Sequence, residues 1–244
     1  MARIKWTRSQ TAICLAIICV AICLILPCIL QNVEVTPSLN SASSNMKQIV
    51  LALQNYHDIF GRLPPPSFTD QAGKPLYSWR VGLLPFIEHD VLYRQFKLDE
   101  PWDSPHNKPL LEHMPKTYSC WSSEGNFLPG MTPYQVFVGR NTAFEPGQGA
   151  GLSWSAFAKD RTDVLLVVAA SEAVPWTKPA DILYNPDEPL PAFVHYTKPT
   201  LHFLHCTFRY KPGFLAGFAN GDVRFVFDET DEKTIRDYIL RAGK

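Results

Sequence analysis

The 244 residues are long enough for one apolar anchor and one domain of roughly 200 residues, since single domains commonly run ~100–200 residues. With 46% hydrophobic and 19% charged residues the chain has the make-up of a folded protein, and its 21 prolines, above the usual ~5% share, call for many loops. Bases and acids balance at 23 each, but Arg3, Lys5 and Arg8 crowd the first ten residues and leave 20 bases against 23 acids beyond them; without a basic stripe the composition argues against a nucleic-acid partner.

Residues 11–30, TAICLAIICVAICLILPCIL, are twenty residues without a charge. At ~1.5 Å per helical residue they match the ~30 Å hydrocarbon layer of a membrane, and a helix satisfies every backbone group internally there. A cleavable signal has an apolar stretch of ~7–15 residues and a small-x-small site, and neither is present directly after Leu30. Small residues at Ser41 to Ser44 leave late cleavage as the alternative. The bases lie before the span and the next one is Lys47, so the predicted topology keeps residues 1–10 in the cytoplasm and the domain outside it. Cys14, Cys19, Cys23 and Cys28 read as small apolar residues of the span.

After a linker over 31–44, residues 45–60 place Met46, Ile49, Val50, Leu53, Tyr56 and Phe60 at three-and-four spacing, the pattern of an amphipathic helix, with Ser44 or Asn45 as its cap. Gly61 and Pro64 to Pro66 stop it, and His57 with Asp58 reads as a polar pair on its last turn. A second helix is predicted over 79–96, kinked at Pro85. DEPWDSPHNKPLL then forms a structured loop leading into a short helix. Strand-like runs follow at 116–120, 134–139 and 163–171, the last apolar throughout and hence central. Asn220-Gly221, between two apolar runs, marks a tight hairpin, and a helix over 231–241 closes the chain. The order is α+β: an N-terminal transmembrane helix, then an amphipathic helix packed on an antiparallel sheet with long proline-rich loops.

The segments NMKQIVLALQNYHDIFGRLPP (45–65), SWRVGLLPFIEHDVLY (78–93), DEPWDSPHN (99–107) and AVPWTKPAD (173–181) carry a family likeness. In that order they resemble the prepilin-like proteins of planctomycete bacteria, defined by domain of unknown function 1559, across nearly the whole chain. The resemblance implies a pilin-like domain over 45–244 and a pilin-type start in which a glycine precedes the cleavage point and a glutamate lies within the apolar helix. In register those positions hold Lys5 and Gln10, so neither processing nor the charge pairing of pilin-like assembly is expected. The family's C-terminal histidine, nine residues, then Asp-Gly falls on Tyr210 and Asn220-Gly221. Asn220 still suits a turn of positive φ.

Asp99, Glu100, Asp103 and Asn107 form the one oxygen-rich loop and are the calcium candidates, although the twelve-residue calcium pattern is absent. His202, His205 and Cys206 lie within five residues, but no fourth ligand at a defined spacing accompanies them and an edge strand or loop is the simpler reading. Cys120 and Cys206 are the domain's only cysteines, and an oxidising exterior permits a bridge. Trp102 and Trp176 sit on proline-rich loops, which they either pin to the core or present as a surface. No catalytic triad, phosphate loop or dinucleotide motif is present, and no cofactor is implied. The expectation is a membrane-anchored, extracytoplasmic structural or interaction protein of the pseudopilin-like class, anchored through 11–30, with envelope or secretion-system partners and no catalysis. The alternatives are an extracytoplasmic module that binds calcium or a glycan and, more distantly, a hydrolase.

Overall fold

The computed structural model describes residues 37–122, 125–126, 128–146, 150–202 and 207–242. The apolar segment 11–30, with Lys5 and Gln10 before it, lies outside them. Among the described residues no helix is long and apolar enough to cross a membrane.

Helix α1 runs over Pro37–Phe60, eight residues earlier than its expected start, and takes in residues read above as linker. Pro37 suits a first helical position, where its missing N–H costs nothing. Leu39 and Ala42 then extend the buried stripe of Met46, Ile49, Val50 and Leu53 by two turns, with Ser41 and Ser44 on the exposed side. Asn45, expected as a cap, instead donates its side-chain amide to the carbonyls of Ser119 (3.0 Å) and Lys116 (3.3 Å).

The predicted helix over 79–96 is three separate turns. Trp79–Gly82 (α2) is followed by a 3₁₀ turn over Leu84–Ile87 and by Asp90–Tyr93 (α3). Pro85 has no N–H to continue a helix, and Glu88 takes a left-handed conformation (φ 64°) that ends the turn behind it. Val91 is 74% exposed as a result. Residues 116–120, expected as a strand, hold a 3₁₀ turn over Lys116–Tyr118. Tertiary bonding overrides β propensity there, because the buried Tyr118 hydroxyl donates to the Arg80 carbonyl at 2.8 Å.

Strands β1 (Ser67–Thr69) and β2 (Pro75–Ser78) form an antiparallel pair ahead of α2, and β3 (Trp121–Ser122) pairs with β4 (Gly125–Asn126). The main sheet contains β5 (Met131–Gln135), β7 (Leu165–Pro175), β9 (Tyr196–His202), β10 (Thr207–Phe218) and β11 (Val223–Phe227). Its order is β11-β10-β7-β5, with β9 also pairing β10. Between β5 and β7 lie the two residues of β6 (Phe137–Val138), which pair in parallel with β8 (Ile182–Leu183). The apolar run of β7 is central, as expected, and Leu165 through Ala170 are all buried. Pro133 coincides with a register shift at the sheet's end strand, one of the few places a sheet accepts a proline.

Side chains of β10 alternate between two cores. Leu215 faces the cluster that contains α1, whereas Phe214, Ala216 and Phe218 join Ile235 and Ile239 of the closing helix α4 (Glu232–Ile239). Between them Gly217 lets α1 approach closely, since a Cβ there would stand 2.5 Å from Val50. Asp231 caps α4 by accepting from the Thr234 N–H at 2.9 Å.

The β10–β11 hairpin forms where Asn220-Gly221 places it, with one difference in the turn. Gly221, at φ 95°, carries the positive dihedral and Asn220 does not. The Gly221 N–H donates to Phe218 O (2.9 Å) and the Phe218 N–H to Asp222 O (2.8 Å), so the loop is one residue longer than a two-residue turn. Lys47 and Gln54 of α1 donate to the carbonyls of Gly221 (2.6 Å) and Ala219 (3.0 Å) and fix this turn to the helix.

The chain divides into two compact units, residues 37–196 with 212–244, and residues 1–36 with 197–211. All the packing above belongs to the first. Of the second, the described part is the pairing of β9 with the start of β10.

Candidate functional site

Arg80 and Asp181 are the most deeply buried charges among the described residues. They form an ion pair with 2.7 Å between Nη2 and Oδ1, their side chains 0% and 3% exposed. Ser78 ends β2 and turns the chain into α2, its hydroxyl accepting from the Arg80 N–H (3.3 Å) and from Nη1 (2.7 Å). Arg80 Nε donates to the Tyr134 carbonyl at 2.9 Å, and the guanidinium lies 4.6 Å from the Trp79 ring centre. The Asp181 carboxylate accepts from both Arg80 terminal nitrogens, from the Trp79 indole N–H (3.2 Å) and from the Val136 N–H (3.0 Å). Val136, between β5 and β6, thus finds its partner in a side chain. Burial raises the Asp181 carboxyl above its ordinary value, with Arg80, Val136 and Trp79 opposing the rise. With its lone pairs directed at these fixed donors, the carboxylate is placed to tie three chain segments together.

Beside Asp181 opens a cleft of about 680 Å³ lined by residues that include Pro65, Pro66, Asp70, Glu145, Pro179 and Leu183. Its acids are committed. Asp70 accepts from the Ala72 and Lys74 N–H groups at 2.9 and 2.8 Å, and Glu145 bonds the Asn141 N–H (2.9 Å) and Arg241 (3.0 Å).

The oxygen-rich loop is bonded from within by Asn107. Buried Asn107 donates its amide N–H groups to the carbonyls of Lys97 (2.9 Å), Glu100 (3.2 Å) and Pro101 (3.1 Å), and its own oxygen accepts from the Lys97 N–H (3.0 Å). Asp99 and Asp103 are exposed, and Glu100 meets Lys97 at 3.0 Å. Bonds from Ser104 and Lys97 hold the Glu100 carboxyl below its usual value. Among the described residues no group of three or more His, Cys, Asp or Glu side chains converges as a metal site.

Trp176 is fully buried, donates its indole N–H to the Leu111 carbonyl (3.0 Å) and stacks on Tyr118, so it pins its loop and presents no surface. Trp102 is half-buried, with Lys178 about 6.0 Å from its ring centre. Cys120 is buried, its sulfur 2.7 Å from the Tyr196 hydroxyl, and burial pushes its thiol up. Its proposed partner Cys206 lies outside the described residues, as does His205. His202 ends β9 and Tyr210 lies in β10, their side chains likewise outside the described set.

Sequence reading passed over the Arg80–Asp181 pair. One signal was available: an arginine inside the apolar run SWRVGLLP must find an opposite charge if that run is buried. The family model described as "Protein of unknown function (DUF1559)" matches residues 40–183, more than half of the chain, and the chain belongs to this family. No curated protein and no solved structure matches it.

Proposed function

We propose, taking membership of this family of unknown function as the premise, that the protein is a membrane-anchored, extracytoplasmic structural or interaction protein of the pseudopilin-like class that catalyses no reaction. The observation that carries this reading is α1. Its 24 residues begin seven positions after the apolar segment 11–30 ends and lay one buried stripe against an antiparallel sheet, the layout a pilin-like domain requires. The fully bonded Arg80–Asp181 pair adds support, since the deepest charges serve to hold loops. Lys5 at the cleavage point and Gln10 in place of the intramembrane glutamate leave an anchor unfit for pilin-type processing.

The intact mass and N-terminal sequence of the membrane-extracted chain test this. Residues 1–10 retained, with the protein in the membrane fraction, is the expected result. A free N-terminus at Trp6 would overturn the processing claim, and a soluble domain cleaved near Ser41 to Ser44 would overturn the anchor. Crosslinked self-association or capture with envelope proteins is expected as well.

The cleft beside Asp181 favours a second reading, an extracytoplasmic ligand-binding module, because its volume falls in the ~300–1,000 Å³ range of small-molecule sites. Saturable binding of a small ligand by the monomer, with no self-association, would select this reading over the first.

A further inference from the structure

The last turn of helix α1 carries a histidine that bonds outside its own helix. His57 Nε2 accepts the backbone N–H of Trp154 at 3.2 Å, and its ring stacks on the Trp154 indole with centres 4.6 Å apart and planes 27° from parallel. The ring does not cap the last turn, which is closed by the Gly61 N–H on the His57 carbonyl (2.7 Å). Because Nε2 accepts, the ring is neutral with its proton on Nδ1. That Nδ1 is buried and makes no hydrogen bond, standing 3.7 Å from Asp58 Oδ1.

Trp154 opens the 3₁₀ turn Trp154–Ala156. Residues 152–159 run as a strap held at two ends. At one end stand His57 and the Leu63 N–H, which donates to the Leu152 carbonyl at 2.8 Å. At the other, Arg241 donates to the Ala156 carbonyl (2.6 Å), and its own carbonyl accepts from the Ala158 and Lys159 N–H groups. Two charged groups act on His57: Asp58 from its own helix and Arg161 from the 3₁₀ turn Arg161–Asp163. The Arg161 guanidinium stands 5.6 Å from the Trp154 ring centre.

We propose that the 152–157 part of this strap is latched to α1 by neutral His57 and released when that histidine takes a proton. A proton on Nε2 sets donor against donor at the Trp154 N–H. It also brings a second cation toward Arg161, while Asp58, its side chain 76% exposed, offers only a solvent-screened countercharge. Burial holds the His57 imidazole below its ordinary value of about 6.5, with Asp58 opposing. A folded-state value depressed in this way leaves the latch intact above the unfolded value and weakens it as pH falls from there toward the folded one.

Hydrogen exchange of the full chain, followed by mass spectrometry at pH 7 and pH 5 and corrected for the intrinsic rate, reads the latch directly. Peptides covering 152–157 are expected to lose protection at pH 5, while those covering α4 keep theirs. His57→Gln retains a neutral acceptor and should hold the strap closed at both pH values. His57→Phe retains the stacking without the acceptor and should loosen it at both. Acid loosening that persists unchanged in His57→Gln, or wild-type protection that is the same at pH 5 and pH 7, would overturn the proposal. An imidazole titrating above 6.5 by NMR of the unaltered protein would overturn it independently of any variant's folding.

Discussion

Replacing Asp181 with asparagine keeps the shape of the side chain and removes its charge, which leaves the Arg80 guanidinium 0% exposed without a counterion. Removing one partner of a buried ion pair costs about 3–5 kcal/mol, a large share of the ~5–15 kcal/mol by which a domain is stable. At ~2–4 °C per kcal/mol for a chain of this size, the melting temperature should fall by about 6–20 °C. Arg80→Met should cost a similar amount, because it strands the carboxylate and opens the Tyr134 carbonyl and the Ser78 hydroxyl as well. The paired change Arg80→Met with Asp181→Leu removes both charges, and it should be less destabilising than the two single changes added together. Thermal unfolding of the full chain, followed by near-ultraviolet circular dichroism, measures all three. A loss below about 1 kcal/mol in Asp181→Asn, the range of solvent-exposed ion pairs in general, would refute the assignment of Asp181 as the buried tie.

Asn107→Ala should destabilise by about 1–3 kcal/mol, since three loop carbonyls lose their donor inside a buried site. Because that asparagine bonds the loop internally, treatment with a chelator should leave the melting temperature within about 1 °C, and a fall well beyond the ~2–4 °C produced by 1 kcal/mol would place a structural cation in the molecule. Gly221→Ala forces a Cβ into a positive φ with Gln54 only 3.0 Å away, and a loss of about 1–3 kcal/mol in urea unfolding is expected. Burial raises the phenols of Tyr77, Tyr118, Tyr134 and Tyr196 above their ordinary value. Their folded values exceed the unfolded value of about 10, so the stability they contribute is complete below pH ~10 and is lost above it at up to ~1.4 kcal/mol per pH unit for each group. Alkaline melts with phenolate absorbance should therefore show titration and unfolding together, and phenols that ionise near pH 10 in the folded state would contradict their burial.

What could be read from the sequence was local. The apolar run of β7, the three-and-four stripe of α1 and the Asn220-Gly221 hairpin each follow from neighbours within a few residues, and each stands where its pattern put it except at the end of the stripe, where Tyr56 is half-buried and Phe60 is 52% exposed. The misplaced elements are those whose conformation is decided at a distance. Lys116–Tyr118 has strand-like residues, yet Tyr118 bonds Arg80 and stacks on Trp176, and the turn follows those contacts. Asn45 has the chemistry of a cap, but the helix passes through it because Leu39 and Ala42 continue the buried stripe. Arg80 and Asp181 stand 101 positions apart, and nothing in the spacing of either announces the other.

The segments that carry the family resemblance interlock with one another. The Ser78 N–H donates to the Thr177 carbonyl (3.0 Å), Arg80 pairs with Asp181, Lys178 stands 6.0 Å from the Trp102 ring centre, and the Tyr56 and Phe86 rings lie 5.5 Å apart. SWRVGLLP, DEPWDSPHN and AVPWTKPAD are therefore parts of one framework, and a change in any of them would be felt as lost stability before lost chemistry. All of them fall within the matched stretch 40–183. Lys5, Gln10, Tyr210 and Asn220 lie outside it. The proposed anchored protein needs neither the glycine nor the glutamate that the start of an assembling pilin would have to keep.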